Sequence, residues 1–268
     1  MKMSTHTGMV AVVLAMMTAG SAAAQVVGVI TTTEGRKIEG AITWKVREKA
    51  YAITAKGGNV ELEMALANIS DVQVPRPKEL DAAIASMKTG NATAAVPVLE
   101  KIASDYLMLQ WDKPATRLLA EAYLASGQAD KARQVCEKVI SANPDAAYLG
   151  EMAPAYWKAL LKLDRASKVE DLMAKAIKSG DRAASAAALN MRGDVILATG
   201  DTNENAKKAL RDGFLRVITV YKSEKDAQPE ALYKAAKCFE KLGQTSRADQ
   251  MRSTLKSDFG SSEWARNP

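Results

Sequence analysis

The chain has 268 residues, a formal net charge of +6, 47% hydrophobic and 25% charged residues, and only 5% aromatic residues. That balance belongs to a folded chain with room for one elongated domain and a small second one, and it argues against disorder. The charges are interspersed and aromatics are scarce, so the basic face and stacking rings of a nucleic-acid binder are missing and no nucleic-acid partner is expected; an acidic partner or polyanionic surface remains compatible.

Met1 to Ala24 combines a cationic start at Lys2, the apolar run from Met9 to Met17 and the small residues Ser21 to Ala24. This is the pattern of a secretory signal peptide cleaved after Ala24, and the run is short for spanning a bilayer. A periplasmic or secreted protein with no transmembrane span after cleavage is expected. The absence of cysteine near the cleavage site argues against a lipoprotein. His6, the chain's one histidine, would leave with the leader, which removes imidazole from any nucleophilic relay or metal site. The expectation is therefore no enzyme, no catalytic residues, no cofactor and no metal.

From Gln25 to Val74 the chain is rich in β-branched residues and glycine. Ile38, Gly40, Ile42, Trp44 and Val46 alternate as one face of a strand, Tyr51, Ile53 and Ala55 as a second, and Val60, Leu62 and Met64 as a third. Glu34-Gly35 and Lys56 to Asn59 are hairpin signals, and Ile69, Val72 and Val74 make a last short strand. The pattern predicts five strands in a small SH3-like or Sm-like β-barrel module over residues 25–75. A unit so small buries little surface, so it should lean on the first helical repeat. It serves either as an N-terminal cap for the helical stack or as an oligomerisation or ligand module. Glu61 and Glu63 share a strand face that is expected to be solvated.

Pro75-Arg76-Pro77 reads as a linker, with helices from Glu79 onward. In Ala115 to Pro144, Leu118, Leu119, Ala122 and Tyr123 recur at helical spacing, and so do Ala132, Val135, Cys136, Val139 and Ile140. Gly127 stands where a helix end needs a residue tolerant of positive φ, and Pro144 stops the second helix. The short turn from Ser126 to Asp130 makes the two helices antiparallel, and Ala120 and Ala132 let their backbones approach. This stretch resembles the tetratricopeptide (TPR) repeat. Gly127 matches the family's turn glycine, Ala120 its small first-helix position, Tyr123 its aromatic, Ala132 its second-helix alanine and Pro144 its closing proline. Thr116 replaces the usual tryptophan and Cys136 the second-helix aromatic.

The same register recurs at Gly90, Ala95, Leu99 and Ile102, at Asp164, Val169, Met173 and Ala176, loosely from Gly200, and at Gly243, Ala248 and Leu255. Turn positions about 37 residues apart, with a longer final interval, predict a mainly α TPR-like solenoid of about five hairpins over residues 76–268. A long helix from Glu204 to Tyr221 accounts for the extra length, followed by a polar loop and a helix start at Pro229. Cys136 and Cys238 fall on repeats too far apart to bridge and read as packed thiols. Asp201 to Asn205 has the alternating oxygens of a calcium loop, but Ala206 and Lys207 break it, leaving a turn that caps the next helix. Trp111 and Trp157 read as packing residues.

The resemblance implies a concave, partner-binding groove lined by the first helix of each hairpin. Its positions fall on Leu80, Ile84 and Met87; Arg117, Glu121 and Leu124; Lys158, Leu161 and Lys162; Asn190, Asp194 and Leu197; and Tyr233, Lys237 and Glu240. An apolar entrance followed by mixed charge suits an extended or helical peptide. Glu121 stands where the carboxylate-clamp subfamily has asparagine, so capture of a chain end is not implied. The segment Asp258 to Ala265 resembles repeat ends in cell-envelope TPR proteins. The resemblance implies a non-catalytic scaffold binding a protein or peptide of the bacterial cell envelope, with homo-oligomerisation possible. The alternative is a structural or peptidoglycan-associated protein that self-associates or binds glycan through the β module.

Overall fold

The computed structural model describes residues 26–266; the expected leader, Met1 to Ala24, lies outside the described residues. Five antiparallel strands come first: β1 (Val26–Thr32), β2 (Lys37–Lys45), β3 (Ala50–Ala55), β4 (Glu61–Ala65) and β5 (Ile69–Gln73). They lie in the order β4-β3-β2-β1-β5. The two edge strands are joined only by the 3-10 turn Leu66–Asn68. Across a flat five-stranded sheet they would be about 19 Å apart at ~4.8 Å per strand, whereas this link spans at most ~14 Å. The sheet must roll up, which is the barrel-like curvature expected. Gly28 pairs with Gly40 at the bend, and a side chain on either would meet backbone oxygen, at 2.5 Å from Gln73 or 2.2 Å from Thr54. Val46 falls outside β2 and is exposed, contrary to its expected place on the inner face. Val60 and Leu62 are also exposed, because β4 is an edge of the sheet.

The barrel core of Val26, Ile30, Ile42, Tyr51, Ile53 and Val74 is completed from outside by Leu109, which is fully buried. Leu109 sits in the link between α2 (Ala92–Asp105) and α3 (Asp112–Ala125). Met108 and Gln110 flank it at φ +62° and +75°, a turn that few side chains adopt readily. It is held by the Tyr51 hydroxyl donating to the Met108 carbonyl at 2.7 Å, by the Met108 amide donating to Asp112 Oδ2 at 3.0 Å, and by Trp111 Nε1 donating to the Val74 carbonyl at 3.2 Å. The module therefore leans on the link between the first two hairpins rather than on the first alone.

Among the described residues the helices form five antiparallel hairpins: α1 (Lys78–Lys88) with α2, α3 with α4 (Ala129–Ala142), α5 (Ala153–Lys162) with α6 (Ala166–Lys178), α7 (Arg182–Ala198) with α8 (Asn203–Ala209) and α9 (Leu215–Val220), and α10 (Gln228–Lys241) with α11 (Thr245–Phe259). A four-residue helix, α12 (Glu263–Arg266), follows. The turn positions read from the register, Gly90, Gly127, Asp164, Gly200 and Gly243, all have positive φ. In four of the five turns the same backbone bond closes the helix: Asn91 to Ser86, Gln128 to Tyr123, Arg165 to Leu160 and Gln244 to Phe239, at 2.7 to 2.9 Å. Thr202 caps α8 by accepting from the Asn205 amide at 3.1 Å, as expected of the broken calcium pattern.

Ala83 and Ala95, Ala120 and Ala132, and Ala236 and Ala248, the small positions of the register, are all buried. The fourth hairpin uses Gly193 and Gly213, and a side-chain carbon on Gly193 would lie 2.4 Å from the Phe214 ring. The π-helical segment Leu210–Phe214 joins α8 to α9 at that contact, so the long helix expected from Glu204 to Tyr221 is present but carries a bulge. The third hairpin departs most. Trp157 and Val169 stand at its small positions, α5 is short, and Trp157 Nε1 donates to the Ala147 carbonyl of the preceding 3-10 turn at 2.8 Å. Both cysteines are free and buried, and burial pushes Cys136 up to about 12 and Cys238 to about 11.

Truncating Leu109 to alanine should cost about 3 kcal/mol, with the loss concentrated in the module. Hydrogen exchange should speed up at Ile30, Ile42 and Ile53 and stay slow at Leu119 and Ala120; uniform loss of protection would rule out this coupling. Asp164→Gly should relieve a left-handed aspartate and raise stability by about 0.5 kcal/mol, roughly 1–2 °C in calorimetric Tm. A lower Tm would show that the turn is not strained.

Candidate functional site

Successive first helices line a concave groove of about 770 Å³. Ile84, Met87 and Lys88 contribute from α1, Leu118 and Leu124 with Arg117 and Glu121 from α3, Lys158, Leu161 and Lys162 from α5, and Met191 and Asp194 from α7. Glu263 of α12 lines the same cavity, so the superhelix brings the last described helix round to face the first hairpin.

The residues implied by the resemblance divide according to the local packing. Nine of them, Ile84, Met87, Arg117, Glu121, Leu124, Lys158, Leu161, Lys162 and Asp194, come together around the cavity. Leu80 does not: it is 1% exposed in the core with Leu99 and Leu119, because α1 turns that face toward α2 and α3. Leu197 packs between the fourth and fifth hairpins, and Glu240 pairs with Arg252 at 2.7 Å away from the cavity. Tyr233 and Lys237 line a separate depression of about 140 Å³, with Trp264 on its wall. Lys88, Leu118, Met191 and Glu263 also line the groove, at positions that the repeat register does not give.

Asn190 is buried in a side chamber of about 450 Å³ that shares Pro154, Lys158 and Met191 with the groove. Its amide nitrogen donates to the Ala227 carbonyl at 3.0 Å, while its carbonyl oxygen is buried with no partner among the described residues. An orphaned acceptor in a chamber can receive an N–H donor from an occupant.

At the wall between the fourth and fifth hairpins, Lys234 Nζ lies 2.6 Å from Asp194 and 2.5 Å from Glu230, and Lys158 approaches Glu230 at 3.9 Å. Burial opposes charge on all three buried groups. For Glu230 the two lysines overcome it and hold the carboxyl below its usual range, whereas for Asp194 burial dominates and pushes the carboxyl up. Two carboxylates share one close cation, and Glu230 has Lys158 in addition. Lys234 is raised, since its burial is outweighed by the two acids. The i, i+4 spacing of Glu230 and Lys234 is visible in the sequence; the long-range partner Asp194 is not. Arg117 is bound to Glu121 at 2.7 Å and approaches Glu151 at 3.2 Å. Among the described residues Lys88 and Lys162 form no ion pair, so the cavity's free charge is positive. Among the described residues no three His, Cys, Asp or Glu side chains gather as a metal site would require.

Residues 86–153 and 230–262 are each similar to the tetratricopeptide repeat family. The first match runs from the end of α1 through α4, and the second covers α10 and α11. No curated protein matches the chain.

Replacing Lys234 with methionine leaves Asp194 and Glu230 buried without their shared cation, and should cost about 3 kcal/mol at pH 7. Both carboxyls would then titrate above their unfolded values, so the folded variant would bind more protons than the unfolded chain and gain stability as pH falls. Urea unfolding should find the gap to wild type smaller at pH 4 than at pH 7; a gap independent of pH would mean that the lysine acts only through packing.

Proposed function

We propose that the protein is a non-catalytic scaffold that binds a protein or peptide through the concave face of its TPR-like hairpins and acts in the bacterial cell envelope. The observation that carries the reading is the groove: apolar Ile84, Met87, Leu118, Leu124, Leu161 and Met191 beside the unpaired Lys88 and Lys162. Apolar contacts would supply affinity and the lysines would set register and favour acidic segments. The similarity of residues 86–153 and 230–262 to tetratricopeptide repeats supports a protein partner. The cell-envelope assignment rests on the leader pattern of Met1 to Ala24 alone.

A second reading has the β module self-associate or hold glycan. In its favour, β4 is an open edge with Val60, Leu62 and Leu66 exposed. Against self-pairing of that edge, Glu61 and Glu63 of two copies would face one another.

Crosslinking of the tagged protein in cells, read by mass spectrometry, should recover a discrete protein partner with wild type and lose it with Lys158→Glu/Lys162→Glu. The same partners from both versions would exclude the groove, and self-crosslinks confined to the β module would favour the second reading.

A further inference from the structure

Helix α12 packs against α10 and α11, and its Glu263 reaches the concave side. Trp264 lies against Tyr233 with ring centroids 5.3 Å apart, and the Lys234 ammonium stands 5.3 Å from the Trp264 ring. The depression that it borders is lined further by Ala236, Lys237, Arg252, Leu255 and Lys256, with Arg252 paired to Glu240 at 2.7 Å. One residue earlier, Glu263 enters the main groove, whose lining includes Lys88, Lys158 and Lys162. The carboxylate makes no ion pair among the described residues, so it lies in the field of these cations without being locked to one of them. Four helical residues follow the link Gly260 to Ser262, and the local bonds there, Ala265 N to Ser262 Oγ at 3.2 Å and Arg266 to the Ser261 carbonyl at 2.9 Å, stay within the segment itself.

We propose that the groove recognises peptide segments in which an acidic residue directly precedes an aromatic one, and that Glu263-Trp264 is a built-in occupant of that site which a partner displaces. The proposal rests on the groove being the binding face and names the partner's chemistry. An aromatic ring among lysines gains both apolar burial and cation–π attraction, and a carboxylate beside it meets an excess of positive charge. The internal segment uses only one end of the groove. The apolar stretch of Ile84, Met87, Leu124 and Leu161 stays uncovered, so a longer segment carrying the same pair would make every contact of α12 and add those. Tethering gives the internal pair a high effective concentration, which weakens the apparent affinity for any outside segment by the fraction of time that the site is filled.

The test uses the full chain and a labelled synthetic peptide corresponding to residues 258–268, followed by fluorescence anisotropy. Trp264→Ala should bind the peptide at least about tenfold more tightly than wild type, because its own occupant no longer holds the site. Peptides changed at the tryptophan (to alanine) or at the glutamate (to lysine) should lose that binding, and so should Trp264→Ala combined with Tyr233→Ala, with far-UV circular dichroism unchanged throughout. Equal affinity in wild type and Trp264→Ala, or no binding to either, would overturn the proposal. If the cellular partner is still lost on reversing Lys158 and Lys162 while the peptide binds neither version, the groove stands and only the acidic-aromatic preference and the internal occupant fall.

Discussion

How closely two helical backbones can approach governs this molecule. In the fourth hairpin the backbones of Gly193 and Gly213 nearly touch, and every other hairpin but the third buries alanine at the small positions of its register, Ala83 and Ala95, Ala120 and Ala132, and Ala236 and Ala248. Close packing at one point lets larger neighbours such as Leu99, Tyr123 and Phe239 interdigitate around it, and lets the next hairpin dock in the same register. The third hairpin replaces the contact with Trp157 and Val169, and the chain compensates with a shorter α5 and a 3-10 turn whose carbonyl binds the indole. Lys158, Leu161 and Lys162 of this departing hairpin line the groove.

The groove, its side chamber and the buried ionic cluster meet at one residue. Lys158, on the irregular α5, belongs to all three: it lines the groove and the chamber and approaches Glu230. Its side chain is half-exposed, so it links a buried, charge-compensated wall to an open surface. Lys234 holds the wall together, and Lys88 and Lys162 leave the cavity with positive charge to spare. A buried ionic cluster of this kind fixes the alignment of the fourth and fifth hairpins more than it adds stability, since desolvation consumes much of the attraction.

Sequence spacing revealed the features that depend on neighbours a few residues apart. The positive-φ turns from Gly90 to Gly243 were legible because only certain residues fit there, and the hairpins followed from them. The segments similar to tetratricopeptide repeats, 86–153 and 230–262, are the ones in which the small and turn positions keep their residue types; the third and fourth hairpins have the shape but substitute Trp157, Gly193 and a π-helical bulge. Of the positions carried by register, those on α3 and α5 line the cavity, whereas Leu80 faces the core with α2 and α3, and Leu197 and Glu240 lie elsewhere. Asp194 with Lys234, and Glu263 across from Ile84, depend on superhelix closure, which no local pattern encodes. Leu109 carries no local signal, because its role depends on a barrel built from residues far earlier in the chain.

That leucine sets an order of events. The strands are synthesised first, yet the barrel core lacks a member until the link beyond α2 has emerged and bent through two left-handed residues. Completion by the α2–α3 link makes the N-terminal module a late-closing unit despite its early position.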